Sequence, residues 1–279
     1  MVRRHLDLVV LSDMHLGSYH CRAQELNTYL SSIKPKTLVL NGDVLERSAL
    51  RSTSFPKKHM EIINTLLKFT LSGTQIYYVT GNHDDYLRKF LSLSLGSIHL
   101  RESLDFQIDG ERYWIFHGDV LDAQKFVSPT VRFLGKKGYN LLLQLNRTQN
   151  GLRKLFGKSP ISLASKLKHK LGKAQSYIDL FERTAAKLAF RNGYDRVICG
   201  HIHQPTIKQI SVGSHSLTYM NSGDWVENLT ALELRFGKWS LYNYHPLDFE
   251  LENPKLSVTR KKHTLSNNKR VSIPEKFEF

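Results

Sequence analysis

Five short strings in this chain carry side chains able to bind metal ions or move protons. They are Asp13-Met14-His15, Gly42-Asp43, Gly81-Asn82-His83-Asp84, His117-Gly118-Asp119 and Gly200-His201-Ile202-His203. Each follows a short apolar run, where a strand should end, and in open α/β sheets ligands bind in the crevice at strand ends. Asp13, His15, Asp43, Asn82, His117, His201 and His203 supply carboxylate and amide oxygens and imidazole nitrogens. That mixture suits divalent Mn²⁺, Fe²⁺ or Zn²⁺ better than a soft, thiolate-bound metal. Such a set exceeds what one ion needs and suits two that share a carboxylate. Two ions about 4 Å apart can clamp a phosphate, activate a bridging water and stabilise charge on attacking and leaving oxygens. A lone Asp-x-His or Gly-Asp is an ordinary cap or loop feature; five such strings, each after a strand, are not. His5, His20, His59, His99, His169, His215, His245 and His263 have no such company and read as surface or packing histidines.

The elements that must position these strings can be read from periodicity. Leu6 to Leu11 is a buried-strand pattern ending at Ser12-Asp13, and Thr37 to Leu40 and Gln75 to Thr80 deliver the next two strings. Between them, Arg22 to Ile33 has helical spacing that stops before Lys34-Pro35, and Lys57 to Leu71 is a second helix closed by Ser72-Gly73. This rhythm predicts right-handed βαβ units and a parallel sheet. Leu104 to Ile108 and Arg112 to Phe116 flank Asp109-Gly110, a hairpin signal, and the second of them delivers His117. From 122 to 192 only helical periodicity is visible, interrupted at several glycines including Gly172. Arg196 to Cys199 then delivers His201 and His203. Thr206 to Ile210, Leu217 to Asn221, Thr230 to Phe236 and Lys238 to Tyr244 look like successive antiparallel strands. We therefore expect one domain over 1–250, with a helical insertion over 122–192, and a basic, solvated tail over 251–279.

Charge is unevenly placed. Of the net +15, residues 125–191 carry fifteen Lys/Arg against Asp179 and Glu182, while the tail carries seven against three acids, leaving the remainder at −2. The basic character thus lies apart from the His and Asp strings, and it implies an anionic partner. In the insertion, Val131, Phe133, Leu134 and Leu141 to Leu143 sit among Arg132, Lys136 and Lys137. Leu163, Leu167 and Leu171 alternate with Lys166, Lys168, Lys170 and Lys173. Apolar faces bordered by lysine favour acyl chains or an anionic membrane surface. Nucleic acid is disfavoured, because Tyr139 and Tyr177 are the only obvious stacking candidates among the charges. The sequence contains no run of eighteen apolar residues and no secretory h-region, and Cys21 and Cys199 form no framework. A cytoplasmic protein, peripheral on the inner membrane, is the expected setting.

In this order the five strings resemble the calcineurin-like metallophosphoesterase superfamily over Leu6 to Tyr244. The resemblance implies a four-layer α/β/β/α sandwich with a dinuclear centre at the strand ends, here with an inserted helical cap. It implies that Asp13, His15, Asp43 and His203 hold one ion, and that Asp43, Asn82, His117 and His201 hold the other. His83 would contact the phosphate or protonate the leaving oxygen, and Asp84 would orient it. A narrower likeness rests on Leu11-Ser12-Asp13-Met14-His15-Leu16-Gly17, Gly42-Asp43-Val44-Leu45-Glu46 and Asn221-Ser222-Gly223-Asp224-Trp225-Val226-Glu227. These are similar to bacterial UDP-2,3-diacylglucosamine diphosphatases, which cleave a nucleotide-linked lipid to UMP and an acylated sugar 1-phosphate in lipid A synthesis. Mn²⁺ would then be the first expected ion, with Fe²⁺ or Zn²⁺ as alternatives. Lys125, Arg132 and Lys173 are candidates to hold the diphosphate or the membrane surface. The best-known branch of that family carries arginine where this chain has His83. A phosphodiesterase, phosphatase or nuclease on another ester therefore stays open, and so does a non-catalytic scaffold, although every ligand position is filled.

Overall fold

The structure, a computed structural model, describes residues 3–47, 55–124 and 163–250, with side chains over 3–47, 55–122 and 175–249. Residues Arg3–Asn243 form one compact unit. It opens with β1 (Arg4–Leu11), α1 (Ala23–Ser31), β2 (Ile33–Asn41), α2 (Lys57–Leu71) and β3 (Gln75–Val79), the alternation read from periodicity. Next come β4 (Ser94–Leu95), β5 (Ile98–Arg101), β6 (Ser103–Ile108), β7 (Glu111–Phe116) and α3 (Leu163–Arg191). The unit closes with β8 (Arg196–Cys199), β9 (Thr206–Val212), β10 (His215–Asn221), β11 (Thr230–Arg235) and β12 (Lys238–Asn243). A second unit begins at Tyr244. Its short helix α4 (Leu247–Glu250) has the Tyr244 and Phe249 rings stacked 5.3 Å apart.

Two sheets form the inner layers. The first has the order β12-β11-β1-β2-β3-β5-β4, with β1, β2, β3 and β5 parallel. The second has the order β6-β7-β8-β10-β9. Their facing surfaces share one apolar cluster: Leu8, Val10, Val39, Val79, Leu232 and Leu234 against Leu104, Tyr113, Ile115, Ile198 and Met220. Because side chains alternate along a strand, Val9, Leu11 and Leu38 bury the opposite face of the first sheet. A strand covered on both faces reads as a continuous apolar run, which is why Leu8 to Leu11 shows no alternation. Helices α1 and α2 bury Leu26, Tyr29 and Leu30, and Ile62 and Phe69, on that side. Helix α3 covers the second sheet. The result is a four-layer α/β/β/α sandwich.

Local chemistry explains several boundaries. Ile108 and Glu111 pair across Asp109-Gly110, both with positive φ (52° and 85°), as a type I′ hairpin turn requires. Pro35, expected to lie just beyond α1, instead sits inside β2 opposite Leu6. The ladder to β3 starts only at Thr37, so the missing N–H of Pro35 falls where β2 is paired on one side alone.

Three expectations are corrected. The last four strands are not one antiparallel run. β9 pairs with β10 in the second sheet, β11 pairs with β12 in the first, and the chain changes sheets between Asn221 and Thr230. Hydropathy marks a strand but not its partner. β4 and β5 were not anticipated, being only two and four residues long. Helix α3 runs unbroken through Gly172, where an interruption was expected. An interior glycine costs only about 1 kcal/mol, less than the downstream packing contributes. That packing also narrows the insertion, because Phe181, Ala185, Ala186 and Ala189 of α3 are buried with Phe116, Val197, Cys199, Leu217 and Tyr219. The second half of α3 is thus a layer of the sandwich. The tail after 250 lies outside the described residues.

The small side chains on this face let α3 lie close to the sheet. Ala186 is fully buried, so Ala186→Leu should cost about 1–3 kcal/mol by overpacking. Urea unfolding followed by circular dichroism would show it as a lower midpoint; an unchanged midpoint would mean that this helix is not a structural layer.

Candidate metal centre

The parallel strands end together, and the turns that follow them hold the five strings. Asp13, His15, Asp43, His201 and His203 all adopt left-handed backbone, with φ between 48° and 66°. For residues with a Cβ this costs roughly 1–2 kcal/mol each, so the surrounding structure must over-determine it. The over-determination is visible. Asp13 N donates to Gly42 O (3.0 Å), His15 N to Asp43 O (2.9 Å) and Trp225 N to Asp13 O (3.1 Å). Ser12 joins Ser222 Oγ (2.7 Å) and donates to Gly223 O (2.9 Å).

The two aspartates divide their oxygens between backbone and site. Asp13 Oδ2 accepts from His201 N (2.9 Å), and Asp43 Oδ1 accepts from His83 N (2.8 Å). Their remaining oxygens face the histidines. His203 Nε2 lies 3.0 Å from Asp13 Oδ1, and His117 Nε2 lies 3.4 Å from Asp43 Oδ2. His15 Nε2 and His83 Nε2 lie 4.0 and 3.9 Å from Asp43 Oδ2. Close approach of the loops requires glycine, as Gly81 and Gly200 show. A Cβ on Gly81 would come within 2.3 Å of Asp43 Oδ1, and one on Gly200 within 2.6 Å of Ser12 Cβ.

Three groups of residues bring potential ligand atoms within 4.8 Å of one another: Asp13, His15 and His203; His15, Asp43 and His83; Asp43, His117 and His201. Whether they fit a metal is tested by their hydrogen bonds. Asp13 Oδ1, Asn82 Oδ1 and His117 Nε2 are buried and have no hydrogen-bond partner. Buried polar atoms left unsatisfied are costly, and bound cations would satisfy them. His117 Nδ1 meets Asn41 O at 2.9 Å, which places a hydrogen there and turns Nε2 to the site. The residues present fit divalent ions.

Several groups around these side chains were not singled out by sequence. His201 Nε2 meets Asp122 Oδ2 at 2.7 Å, and Tyr177 of α3 donates to the other oxygen of Asp122. His201 also stacks on Phe181 of α3, with ring centroids 6.1 Å apart. Asp224 Oδ2 lies 3.7 Å from His203 Nδ1, while Asp224 Oδ1 accepts from the backbones of Val226 and Glu227 (2.8 and 2.5 Å). Glu46 meets His15 Nδ1 at 3.2 Å and His83 Nδ1 at 3.1 Å, and these two rings hold its carboxyl down to about 2.

One expected role is corrected by these contacts. Asp84 does not face the His83 ring. It is buried and accepts from Gly81 N (2.5 Å), Val44 N (2.9 Å) and Tyr78 Oη (2.7 Å), so it ties the loop rather than the imidazole. The side chain at the ring is Glu46. Its signal was present in Gly42-Asp43-Val44-Leu45-Glu46, but spacing alone assigns it no partner. Asp122 stands at the start of the stretch read as an insertion, where no motif marks it. Lys125, Arg132 and the side chain of Lys173 lie outside the described residues.

The electrostatics give a signed prediction. Burial alone would lower the pKa of both His117 and His203. Asp43 and Asp13 outweigh it, raising His117 to about 10 and His203 to about 9 in the metal-free chain. Burial would likewise raise Asp13, but His203 and the neighbouring rings hold it below the usual carboxylate range. An imidazole must be neutral to bind a metal. Below pH 9, ion uptake should therefore release protons, roughly two per chain at neutral pH, and affinity should rise with pH. Calorimetry of Mn²⁺ binding in two buffers of different ionisation enthalpy measures that number; release of none would contradict the protonated resting state.

The calcineurin-like phosphoesterase family model matches residues 6–205, which span all five strings. The chain is 23% identical over 251 residues to the UDP-2,3-diacylglucosamine hydrolase of Aliivibrio fischeri (strain MJ11), covering 88% of this chain and 100% of that one. It is 24% identical over 251 residues to the enzyme of the same name from Pseudomonas fluorescens (strain Pf0-1), covering 87% and 96%. Among solved structures, an archaeal phosphodiesterase aligns over 85% of this chain and 98% of its own at 13% identity, with a TM-score of 0.40. With the family match spanning most of its length and the ligand-bearing turns held at the strand ends, the chain belongs to the calcineurin-like phosphoesterase family and is a metal-dependent phosphoesterase.

Proposed function

We propose that this protein hydrolyses the pyrophosphate of UDP-2,3-diacylglucosamine, or a similar nucleotide-linked lipid, to UMP and the acylated sugar 1-phosphate. The observation carrying the site is that Asp13 Oδ1, Asn82 Oδ1 and His117 Nε2, in three of the strand-end turns, are buried and without hydrogen-bond partners. The observation supporting the substrate is likeness along essentially the whole length of relatives bearing that name.

In this reading two divalent ions, Mn²⁺ first, are held by Asp13, His15, Asp43 and His203 and by Asp43, Asn82, His117 and His201, with Asp43 shared. When bound, they supply Lewis acidity at the phosphoryl oxygens and make water a better nucleophile. The chain's own part is positioning. Asp43 Oδ1 holds the His83 backbone, and Asp84 holds the loop before it, leaving His83 Nε2 3.9 Å from Asp43 Oδ2. Water adds to one phosphorus and gives up its proton to solvent, the bond to the bridging oxygen breaks, and His83, when it carries a proton at Nε2 as well as at Nδ1, gives that proton or a hydrogen bond to the departing phosphate. The residue types of 125–174, lysine-bordered and apolar, support a cap that receives acyl chains and rests on an anionic inner-membrane surface. Lys125, Arg132 and Lys173 would contact the diphosphate or the lipid headgroups. Among the described residues no helix is long and apolar enough to cross a membrane.

The test is UMP release from UDP-2,3-diacylglucosamine with Mn²⁺, run beside a soluble bis(aryl) phosphodiester and Asp43→Ala. Fast UMP release with poor diester turnover is expected. Asp43→Ala should lose roughly a hundredfold or more, since Lewis-acid stabilisation is worth several kcal/mol and each 1.36 is tenfold. Good diester turnover without UMP would keep the metal site and reject the lipid. Full activity of Asp43→Ala would reject the shared ligand.

A further inference from the structure

We infer that Glu46 is a positioning residue shared by two histidines of different function, fixing His15 on the metal side and His83 on the phosphate side through one carboxylate. The inference rests on the reading above for the roles of the two rings. The geometry itself is independent of substrate. Glu46 Oε2 meets His15 Nδ1 at 3.2 Å, and both Glu46 oxygens lie 3.1 Å from His83 Nδ1. A carboxylate is an acceptor only, so each ring must present its hydrogen at Nδ1. A neutral ring so arranged carries its lone pair at Nε2. Both Nε2 atoms then turn toward Asp43 Oδ2, at 4.0 and 3.9 Å, and the rings meet edge to face with centroids 4.6 Å apart.

Glu46 is itself held by backbone. Its N–H donates to Leu16 O (2.9 Å), Leu16 N donates to Val44 O (2.8 Å), and Leu16 pairs with Leu45 as an isolated parallel bridge. The Asp13 and Asp43 loops are thus zipped together just beyond β1 and β2. That bridge brings a side chain of the second loop against a ring of the first. His83 arrives from the end of β3, so one carboxylate ties the ends of three neighbouring strands. Hydrogen-bonded partners of this kind orient metal-ligating imidazoles and raise their basicity.

Glu46→Gln tests this with little change of shape. The amide replaces one of the two acceptors by a donor NH₂, which lies against the Nδ1 of one ring and favours the Nε2–H tautomer there. Long-range ¹H–¹⁵N NMR of histidine-labelled, metal-free protein, at a pH where the rings are neutral, should show Nδ1–H for both rings in the native chain. At least one should switch in Glu46→Gln. Kinetically, Glu46→Gln should lower kcat 10- to 100-fold, as outer-shell partners typically do, with KM changed less than twofold. In a His83→Ala background the loss should shrink to the part acting through His15, read as weaker Mn²⁺ binding by calorimetry. Unchanged tautomers overturn the proposal. So does full additivity with His83→Ala at unchanged Mn²⁺ affinity. If Glu46→Ala fails to fold, the isosteric amide still decides. If the lipid proves not to be the substrate, the NMR and calorimetry stand without it.

Discussion

The whole arrangement depends on two carboxylates that each do two things. Asp13 and Asp43 stand at the ends of adjacent parallel strands, and each gives one oxygen to the backbone of a distant loop. Asp13 holds the turn carrying His201 and His203, and Asp43 holds the turn carrying Asn82 and His83. The other oxygens are left for the site. These bonds bring the end of β8, in the second sheet, against the end of β1, in the first. Across the sheets they are reinforced by His117 Nδ1 against Asn41 O (2.9 Å) and by Ser12 Oγ against Ser222 Oγ (2.7 Å). A buried carboxylate is tolerated only when it is hydrogen-bonded and paired with positive charge. Such a pair of residues is stable only with several donors, or a cation, around them.

Rigid scaffolding carries the strain of the five left-handed residues, Asp13, His15, Asp43, His201 and His203. The Asn221 to Asp224 loop supports Asp13 from below, through Ser222, Gly223 and Trp225, and the same Asp224 stands beside His203. On the other side α3 presses Phe181 on His201 and reaches Asp122 through Tyr177. A helix that sequence alone assigns to an insertion is therefore both a layer of the fold and a wall of the site.

Much of this was legible in the sequence, and the reasons differ by feature. The ligand-bearing strings could be read because strand, turn and reactive residue are contiguous, as in Val79-Thr80-Gly81-Asn82-His83. The βαβ order was legible because α1 and α2 show one-sided apolar spacing that ends at clear stops. Sheet membership was not, since β10 and β11 look alike locally and differ only in distant partners. Residues that touch the ligands from behind were also hidden. Glu46 and Asp122 are ordinary surface-type acids by composition, and only folding places them against His15, His83 and His201. Asp84 shows the converse: adjacent in sequence to His83, it was expected at the ring, but the turn aims it back at Gly81, Val44 and Tyr78.

The central claim is that one shared aspartate lets seven side chains hold a pair of ions. Equilibrium dialysis of the metal-free protein against Mn²⁺, with bound metal counted by atomic absorption, tests it most directly. The account predicts saturation at two ions per folded chain, with both lost or severely weakened in Asp43→Ala. Saturation at a single ion, or two ions still held tightly by Asp43→Ala, would contradict it.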